Sequence, residues 1–458
     1  MFKLIMMGRC TYIYAKKQKK TRENDMGEDR ISQLPDEVLV SILSFLTMKE
    51  AARTSVIACR WREVWTSIPS LDFDASETSN SLWEEEEGLN PYEETGKYIK
   101  WINNVLDAYQ GYCIDEFRVR FDLEPMFTSD IDRWFNFALE KKVKRLVMDF
   151  RGYYGCPRSN IFAIPLLSSP VLHTAEFPDC RSLKILKLKY LDISGAVIEH
   201  LISTCLYLEQ LVIEGSNSLT DLNVVGQSLC LKYLKIKFCC RLKSVYLSAP
   251  NLLSFQWYSA ESIEIAFANV PNLVEVFFGG GYALRRLHPL LNYLSQLETL
   301  ILSDEPPEET IGLIEFPVLP HLKNLILKVS AADDDSLLGF TPLIKAAPSL
   351  CRLLLELSWF EPDVFLLSRP KTPRECHQCL KVVEIVGFVG KTNDMEFAMY
   401  LIEHAPMLEK ILLRPGKPKS LRCYSDPECI ARKQSGREAA MLLDYKFSLG
   451  DKLVLLGF

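Results

Sequence analysis

One short pattern returns along this chain and constrains its fold more than any other feature. An apolar residue is followed by two variable positions, a second apolar residue, one variable position and a third. It runs through Leu183/Leu186/Leu188, Leu208/Leu211/Ile213, Leu231/Leu234/Ile236, Leu252/Phe255/Trp257 and Leu273/Val276/Phe278. It continues through Leu297/Leu300/Leu302, Leu322/Leu325/Leu327, Leu350/Leu353/Leu355, Leu380/Val383/Ile385 and Leu408/Ile411/Leu413, with an earlier copy at Val143/Leu146/Met148. From Leu183 onward the copies start 21 to 30 residues apart. A period in that range marks a unit that cannot bury its apolar face alone and must stack on its neighbours. The spacing predicts an irregular curved solenoid of at least eight repeats, repeat leucines inward and the variable positions on the outer face of a parallel sheet.

Two further signals support that register. Proline stands two positions before the repeat leucine at Pro250, Pro271, Pro320, Pro348 and Pro406, where it ends an outer segment and launches an inner strand. The linking segments have helical spacing: Val197, Ile198, Leu201, Ile202 and Cys205 on one face, and Met395, Ala398, Ile402 and Ala405 on another. Stripes at Ile99, Ile102, Leu106 and Tyr109, and at Ile131, Trp134, Phe135 and Ala138, form a helical lead-in.

The N-terminal part follows another logic. In ISQLPDEVLVSILSFL, residues 31–46, Pro35 suits a first helical turn and Asp36 and Glu37 complement the positive end of the helix dipole. Apolar residues then follow at Val38, Leu39, Ile42, Leu43 and Leu46. Thr47-Met48-Lys49-Glu50 reads as a capping box for a second helix, and CRWREVWTSIP supplies a third with Trp61, Val64 and Trp65. Three such short helices cannot bury this much apolar surface among themselves. They either cap the next domain or dock onto a partner.

Residues 29–74 closely resemble the plant F-box, in the Leu34-Pro35 start, the SILSFL helix, the KEA-x-RTSV stretch and the RWR-x-x-W ending. That resemblance implies docking to the Skp-type adaptor of an SCF (Skp–cullin–F-box) ubiquitin ligase. It makes Leu34, Pro35, Val38, Leu39, Ile42, Leu46, Val56, Trp61 and Trp65 the candidate adaptor-facing residues. The chain departs from the family at Thr47-Met48, where Pro-Thr is usual, and at Ala58-Cys59, where a hydroxyl and a positive charge are usual. The second departure keeps open a non-catalytic binding scaffold whose F-box is weak or unused. Residues 376–416 resemble the FBD region that follows F-box and leucine-rich repeats in many plant proteins. The fold class expected is α/β: a short three-helix F-box, an irregular leucine-rich-repeat solenoid, and an FBD-like strand–helix–strand cap.

The domain plan is then a disordered basic leader at 1–28, the F-box at 29–74, an acidic linker at 75–96, the repeat region with its lead-in at 97–375, the FBD region at 376–416 and a tail at 417–458. In that tail GKPKSLRCYSDPEC reads as irregular and DKLVLLGF as a final edge strand. KKQKKTR at 16–22 reads as part of the leader or as a nuclear-import signal, with Met26 as an alternative start.

A net charge of −6 gives no pull toward nucleic acid or an acidic membrane, and no apolar run is long enough to span a bilayer. The first residues place their charge after the apolar part, against a secretory signal. Fourteen scattered cysteines fit buried thiols in a reducing compartment, cytosol or nucleus. Cys376-His377-Gln378-Cys379 is half a zinc site without a second close pair. The glycines at 279–281 lack a phosphate loop's Lys-Ser/Thr, Asp333–Asp335 lack a calcium loop's spacing, and no HExxH or G-x-S-x-G motif occurs. No cofactor or catalytic residue is therefore expected. Among the lysines of the early repeats, Lys187 and Lys235 fall at variable strand positions. They read either as solubilising charge or as a stripe for an acidic target protein.

Overall fold

The computed structural model describes residues 31–56, 60–74, 91–121, 127–150, 164–165, 180–259, 261, 263–281, 283–304, 315–331, 337–359, 376–415 and 427–457. The basic leader, the acidic segment up to residue 90, Ala58-Cys59, Asp333–Asp335 and the segment at 416–426 lie outside them. The chain divides into two compact units, residues 1–187 and 188–458.

The first unit opens with helices α1 (Asp36–Leu43), α2 (Met48–Arg53) and α3 (Trp61–Val64). Strand β1 (Ser70–Asp74), helix α4 (Pro91–Ala108), β2 (Glu116–Arg120), helix α5 (Thr128–Glu140) and β3 (Arg145–Asp149) follow. Helix α4 therefore starts ahead of residue 97, inside the stretch read as linker. The three strands pair in parallel as β1–β2–β3, which requires the helical crossovers between them. The apolar stripes of α4 and α5, from Ile99 to Tyr109 and from Ile131 to Ala138, are buried. The array thus starts two strands before the copy at Val143. Ile68/Leu71/Phe73 and Ile114/Phe117/Val119 carry the same apolar pattern, and all six are buried. The two-residue β4 (Ile164–Pro165) and β5 (Ile185–Lys189) come next, the division between units falling within β5.

The second unit holds β6 (Leu191–Asp192), α6 (Gly195–Thr204), β7 (Gln210–Glu214), β8 (Asp221–Val225), β9 (Tyr233–Lys237), β10 (Ser244–Ser248), β11 (Ser254–Tyr258), β12 (Glu264–Asn269) and β13 (Glu275–Gly279). It continues with α7 (Ala283–Leu291), β14 (Thr299–Asp304), β15 (Asn324–Ala331), α8 (Thr341–Lys345), β16 (Arg352–Trp359), β17 (Val382–Val386), α9 (Thr392–His404), β18 (Lys410–Arg414), α10 (Pro427–Phe447) and β19 (Leu453–Leu455). Its main sheet is parallel, in the order β7–β9–β11–β13–β14–β15–β16–β17–β18–β19. The second and third apolar residues of each copy lie in register and point into the core. Leu211, Leu234, Phe255, Val276, Leu300, Leu325, Leu353, Val383 and Ile411 all have zero exposure. The first apolar residue of each copy sits in the turn before its strand, and so do Pro250 and Pro271. Asn251 and Asn272, just after those prolines, donate to the carbonyls of Leu229 (2.7 Å) and Pro250 (2.8 Å) in the preceding turn, tying successive repeats together.

The outer layer changes along this unit. Beside the early repeats it is a small parallel sheet, β8–β10–β12, whose Phe267 ring packs edge-on against Phe255 at 5.8 Å. Beside the later repeats it is helical. The buried face of α9 is Asp394, Phe397, Ala398 and Leu401, so Met395 and Ile402 sit half-buried at its margins rather than at its centre. Of the segment read as irregular, residues 416–426 lie outside the described residues, and its last three residues open helix α10, an element the sequence reading did not assign. Gly436, Ala439, Ala440 and Leu443 form the buried side of α10, Ser435 Oγ donates to the Val389 carbonyl at 2.8 Å, and β19 pairs with β18 as the last strand.

Candidate functional site

The opening helices form a small core of Leu39, Leu43, Ala51, Trp61, Val64 and Ile68, with Leu34, Val40 and Trp65 packed partly against it. Polar contacts fix the arrangement. Arg60 Nε and an Nη donate to Asp36 Oδ1, the other Nη donates to the Ser32 carbonyl, and Trp61 Nε1 donates to Ser32 Oγ at 2.7 Å. Thr47 and Glu50 form the expected capping box of α2. Those bonds hold the Glu50 carboxyl below its usual range, the Thr47 backbone N–H contributing most. The module is also bonded to the segment between α4 and β2: the Thr66 carbonyl accepts from Gln110 N at 3.0 Å and the Pro69 carbonyl from Asp115 N at 2.7 Å.

This packing separates the candidate adaptor residues into two groups. Leu39 and Trp61 are buried in the module's own core and cannot present a surface, while Leu34 and Trp65 are half-buried beside it. Pro35, Val38, Ile42, Leu46 and Val56 are exposed. Helix α1 therefore has two apolar faces, an inner one of Leu39 and Leu43 and an outer one of Val38 and Ile42. The outer face runs on into the next turn. Phe45 there is 89% exposed and belongs with Val38 and Ile42 at helical spacing, a position that sequence reading passed over. An unpaired apolar row of this kind marks an interaction surface.

In the second unit, Lys235 is not a bare positive charge. Its Nζ lies 2.6 Å from Glu214 Oε1, and Lys189 reaches the other oxygen at 3.6 Å. A buried carboxylate, Glu214, thus sits among the amines of this part of the sheet. Lys187 lies half-buried in the first unit's part of β5 and is engaged in contacts of its own. Around the CHQC segment, Cys376 and Cys379 are exposed, while His377 pairs with the Tyr400 hydroxyl at 2.9 Å. Among the described residues no group of three or more His, Cys, Asp or Glu side chains converges as a metal site, and no helix is long and apolar enough to cross a membrane.

Known proteins carry both parts of this architecture. The F-box domain model matches residues 31–73, and the model described as "At1g61320/AtMIF1, LRR domain" matches residues 105–441. F-box/FBD/LRR-repeat protein At1g13570 of Arabidopsis thaliana is 28% identical over 417 residues, covering 84% of this chain and 91% of that protein. FBD-associated F-box protein At4g10400 of the same plant is 24% identical over 458 residues, covering 92% and 100%. FBD-associated F-box protein At5g22730 is 25% identical over 441 residues, covering 87% and 89%. With an F-box at its start and a leucine-rich-repeat model over most of the remainder, the chain belongs to the plant F-box/leucine-rich-repeat proteins of the FBD-associated family.

Proposed function

We propose that the chain is the substrate-recognition subunit of an SCF-type ubiquitin ligase, acting in the cytosol or nucleus. Its F-box docks to a Skp-type adaptor and so to the cullin complex, and its solenoid holds a target protein. The observation that carries this reading is the outer apolar row of Val38, Ile42 and Phe45, left uncovered by a module whose own core is already complete. The chain itself makes no covalent bond. It acts by proximity: tethering raises the effective concentration of the target at the ubiquitin-charged enzyme.

The test is co-purification of the full chain with a Skp-type adaptor and cullin, beside an Ile42→Asp/Phe45→Asp variant and a Leu34→Ala/Pro35→Ala variant. The parent chain is expected to retain both partners and the first variant to lose both while still folding. No retention by either would leave a passive binding scaffold instead, and equal retention by both would move the docking surface off the row of Val38, Ile42 and Phe45.

A further inference from the structure

The open face of the second unit's sheet carries an apolar row where alternation calls for polar side chains. Phe277, Ile301, Ile326 and Leu354 stand side by side in register on β13, β14, β15 and β16, each only half-buried. With about 4.8 Å between strands, the row is roughly 14 Å long. Four apolar residues in successive register on a solvated face are more than scattered surface hydrophobicity.

Both ends of the row carry more cations than carboxylates, even counting Glu275, which shares the face of β13 with Phe277 and accepts from Ser254 Oγ at 2.8 Å. Toward β9, Lys189 and Lys235 share the single carboxylate of Glu214. Lys237 is a third amine there, and among the described residues no carboxylate lies within ion-pair distance of it. Its Nζ lies 4.4 Å from the centroid of the Phe277 ring and 5.7 Å from that of Tyr258, so it borders the apolar row directly. Desolvation and the neighbouring Lys235 bring its pKa down to about 8, as expected for an amine lacking a full counter-charge. Toward β17, Arg352 at 3.1 Å and Arg414 at 3.5 Å share the single carboxylate of Glu384. Glu384 is itself the register neighbour of Leu354.

We infer that this face seats an extended acidic segment of the target, a short apolar run bracketed by carboxylate side chains. The inference rests on the receptor reading and adds the chemistry of the segment received. A carboxylate is favoured over a phosphate because the excess at each end is about one positive charge, which a carboxylate matches and a phosphate, with roughly two negative charges, exceeds. The cations beside Phe277 are lysines, each a point charge, and both arginines at the other end already engage Glu384.

The test uses the full chain and a fluorescein-labelled synthetic peptide with four aliphatic residues between two pairs of aspartates, read by fluorescence anisotropy. A second peptide replaces the aspartates with lysines and a third replaces them with phosphoserines. The aspartate peptide is expected to bind at least about tenfold more tightly than the lysine peptide and to weaken as salt is raised. Lys237→Gln is expected to cost about fivefold and Ile326→Ser about tenfold in its affinity, with near-ultraviolet circular dichroism unchanged. No binding of the aspartate peptide, equal binding of the aspartate and lysine peptides, or unchanged affinity in both variants would overturn the inference. A phosphoserine peptide bound tenfold tighter than the aspartate one would overturn its choice of carboxylate. The peptide assay contains no adaptor, so its failure with adaptor capture intact removes only this inference. Failure of adaptor capture by the parent chain removes the receptor reading itself.

Discussion

Two pairs of chain neighbours show how differently the F-box and the solenoid treat apolar residues. In α1, Val38 is exposed and Leu39 is buried; in β16, Leu354 is half-buried and Leu355 is buried. In the solenoid the sorting is set by the strand, whose successive side chains point to opposite faces. In the F-box it is set by supply. A helical stripe wider than one face meets two short partner helices that can cover only part of it. An apolar excess in a repeat strand therefore reports a core, and any apolar residue at a variable position stands out. The same excess in a three-helix module leaves an exposed remainder, the row proposed above as the adaptor interface.

The comparison can be broken by truncation. Leu39→Ala and Leu355→Ala should each cost about 2–5 kcal/mol of stability, because each removes fully buried methyl groups and leaves a cavity. Val38→Ala and Leu354→Ala should each cost less than about 1 kcal/mol. Urea unfolding of the full chain measures all four. If Leu354→Ala proves as costly as Leu355→Ala, the sheet face is closed and the proposed peptide has no seat.

Charge on the outer face of α1 separates docking from folding. Ile42→Asp combined with Phe45→Asp should weaken adaptor affinity by about 100-fold or more, the scale on which interface anchors act. The melting temperature should stay close to that of the parent, because neither residue belongs to the buried cluster. A large drop in melting temperature would place these residues in the core and return the module to the role of an end cap.

Why the sequence disclosed one region more fully than the other is explained by these rules. The register of Leu211 through Ile411 was legible because a period of two leaves no choice of face. The earlier copies at Ile68/Leu71/Phe73 and Ile114/Phe117/Val119 carry the same signal, but the steps from Ile68 to Ile114 (46 residues) and from Val143 to Leu183 (40 residues) break the 21 to 30 residue spacing, so period-counting from Leu183 stops short of them. Helix α10 was hidden for the opposite reason. Its apolar side chains fall on all sides, with Ala440 and Leu443 buried and Met441, Leu442 and Tyr445 exposed. Its centre is Gly436, where any Cβ would lie 2.6 Å from the Phe388 carbonyl oxygen. Tight packing against backbone demanded a glycine there, and glycine argues locally against a helix. The proposed adaptor surface was legible only as a list. Sequence supplied Val38, Leu39, Ile42 and Trp61 without order, and only the packing of the three helices sorts them. Glu214 was invisible as the partner of Lys235 because ion pairing across strands depends on the register of β7 and β9.

The C-terminal end of the solenoid offers a pH-dependent contrast. Asp394 is buried, and burial pushes its carboxyl up to about 6, against the pull of hydrogen bonds from the N–H groups of Val389 (2.8 Å) and Gly390 (3.0 Å) and the charge of Lys391. Between about pH 4 and about pH 6 the folded chain therefore holds a proton that the unfolded chain releases, so this group's contribution to stability falls as pH rises through that window. Asp394→Asn keeps one acceptor oxygen for the two backbone donors and removes the titration. The variant should gain on the parent as pH rises from 4 to 6, hold that gain above, and lose it below about pH 4. Melting temperatures of both chains at stepped pH decide the matter, and parallel curves would show that Asp394 titrates as an ordinary carboxylate.

The smallest expected effect tests whether the F-box is held by its own local chemistry. Thr47 stands where the family usually has proline, yet it starts α2 with a complete capping box. The Glu50 N–H donates to Thr47 Oγ1 at 3.3 Å, and the Thr47 N–H donates to Glu50 Oε2 at 3.0 Å. Thr47→Ala should cost about 1 kcal/mol, and Thr47→Ser should cost a fraction of that. Because these bonds lower the Glu50 pKa, the ionised cap stabilises above the ordinary carboxylate pKa and loses that contribution as pH falls through the lowered value. The penalty of Thr47→Ala should accordingly shrink in acid, while in a Glu50→Gln background, whose amide still fits the box, it should be independent of pH. Hydrogen exchange at the Glu50 amide follows the cap directly. Equal exchange rates in parent and Thr47→Ala would mean that the proposed docking surface is oriented by packing on Leu39 and Leu43 alone.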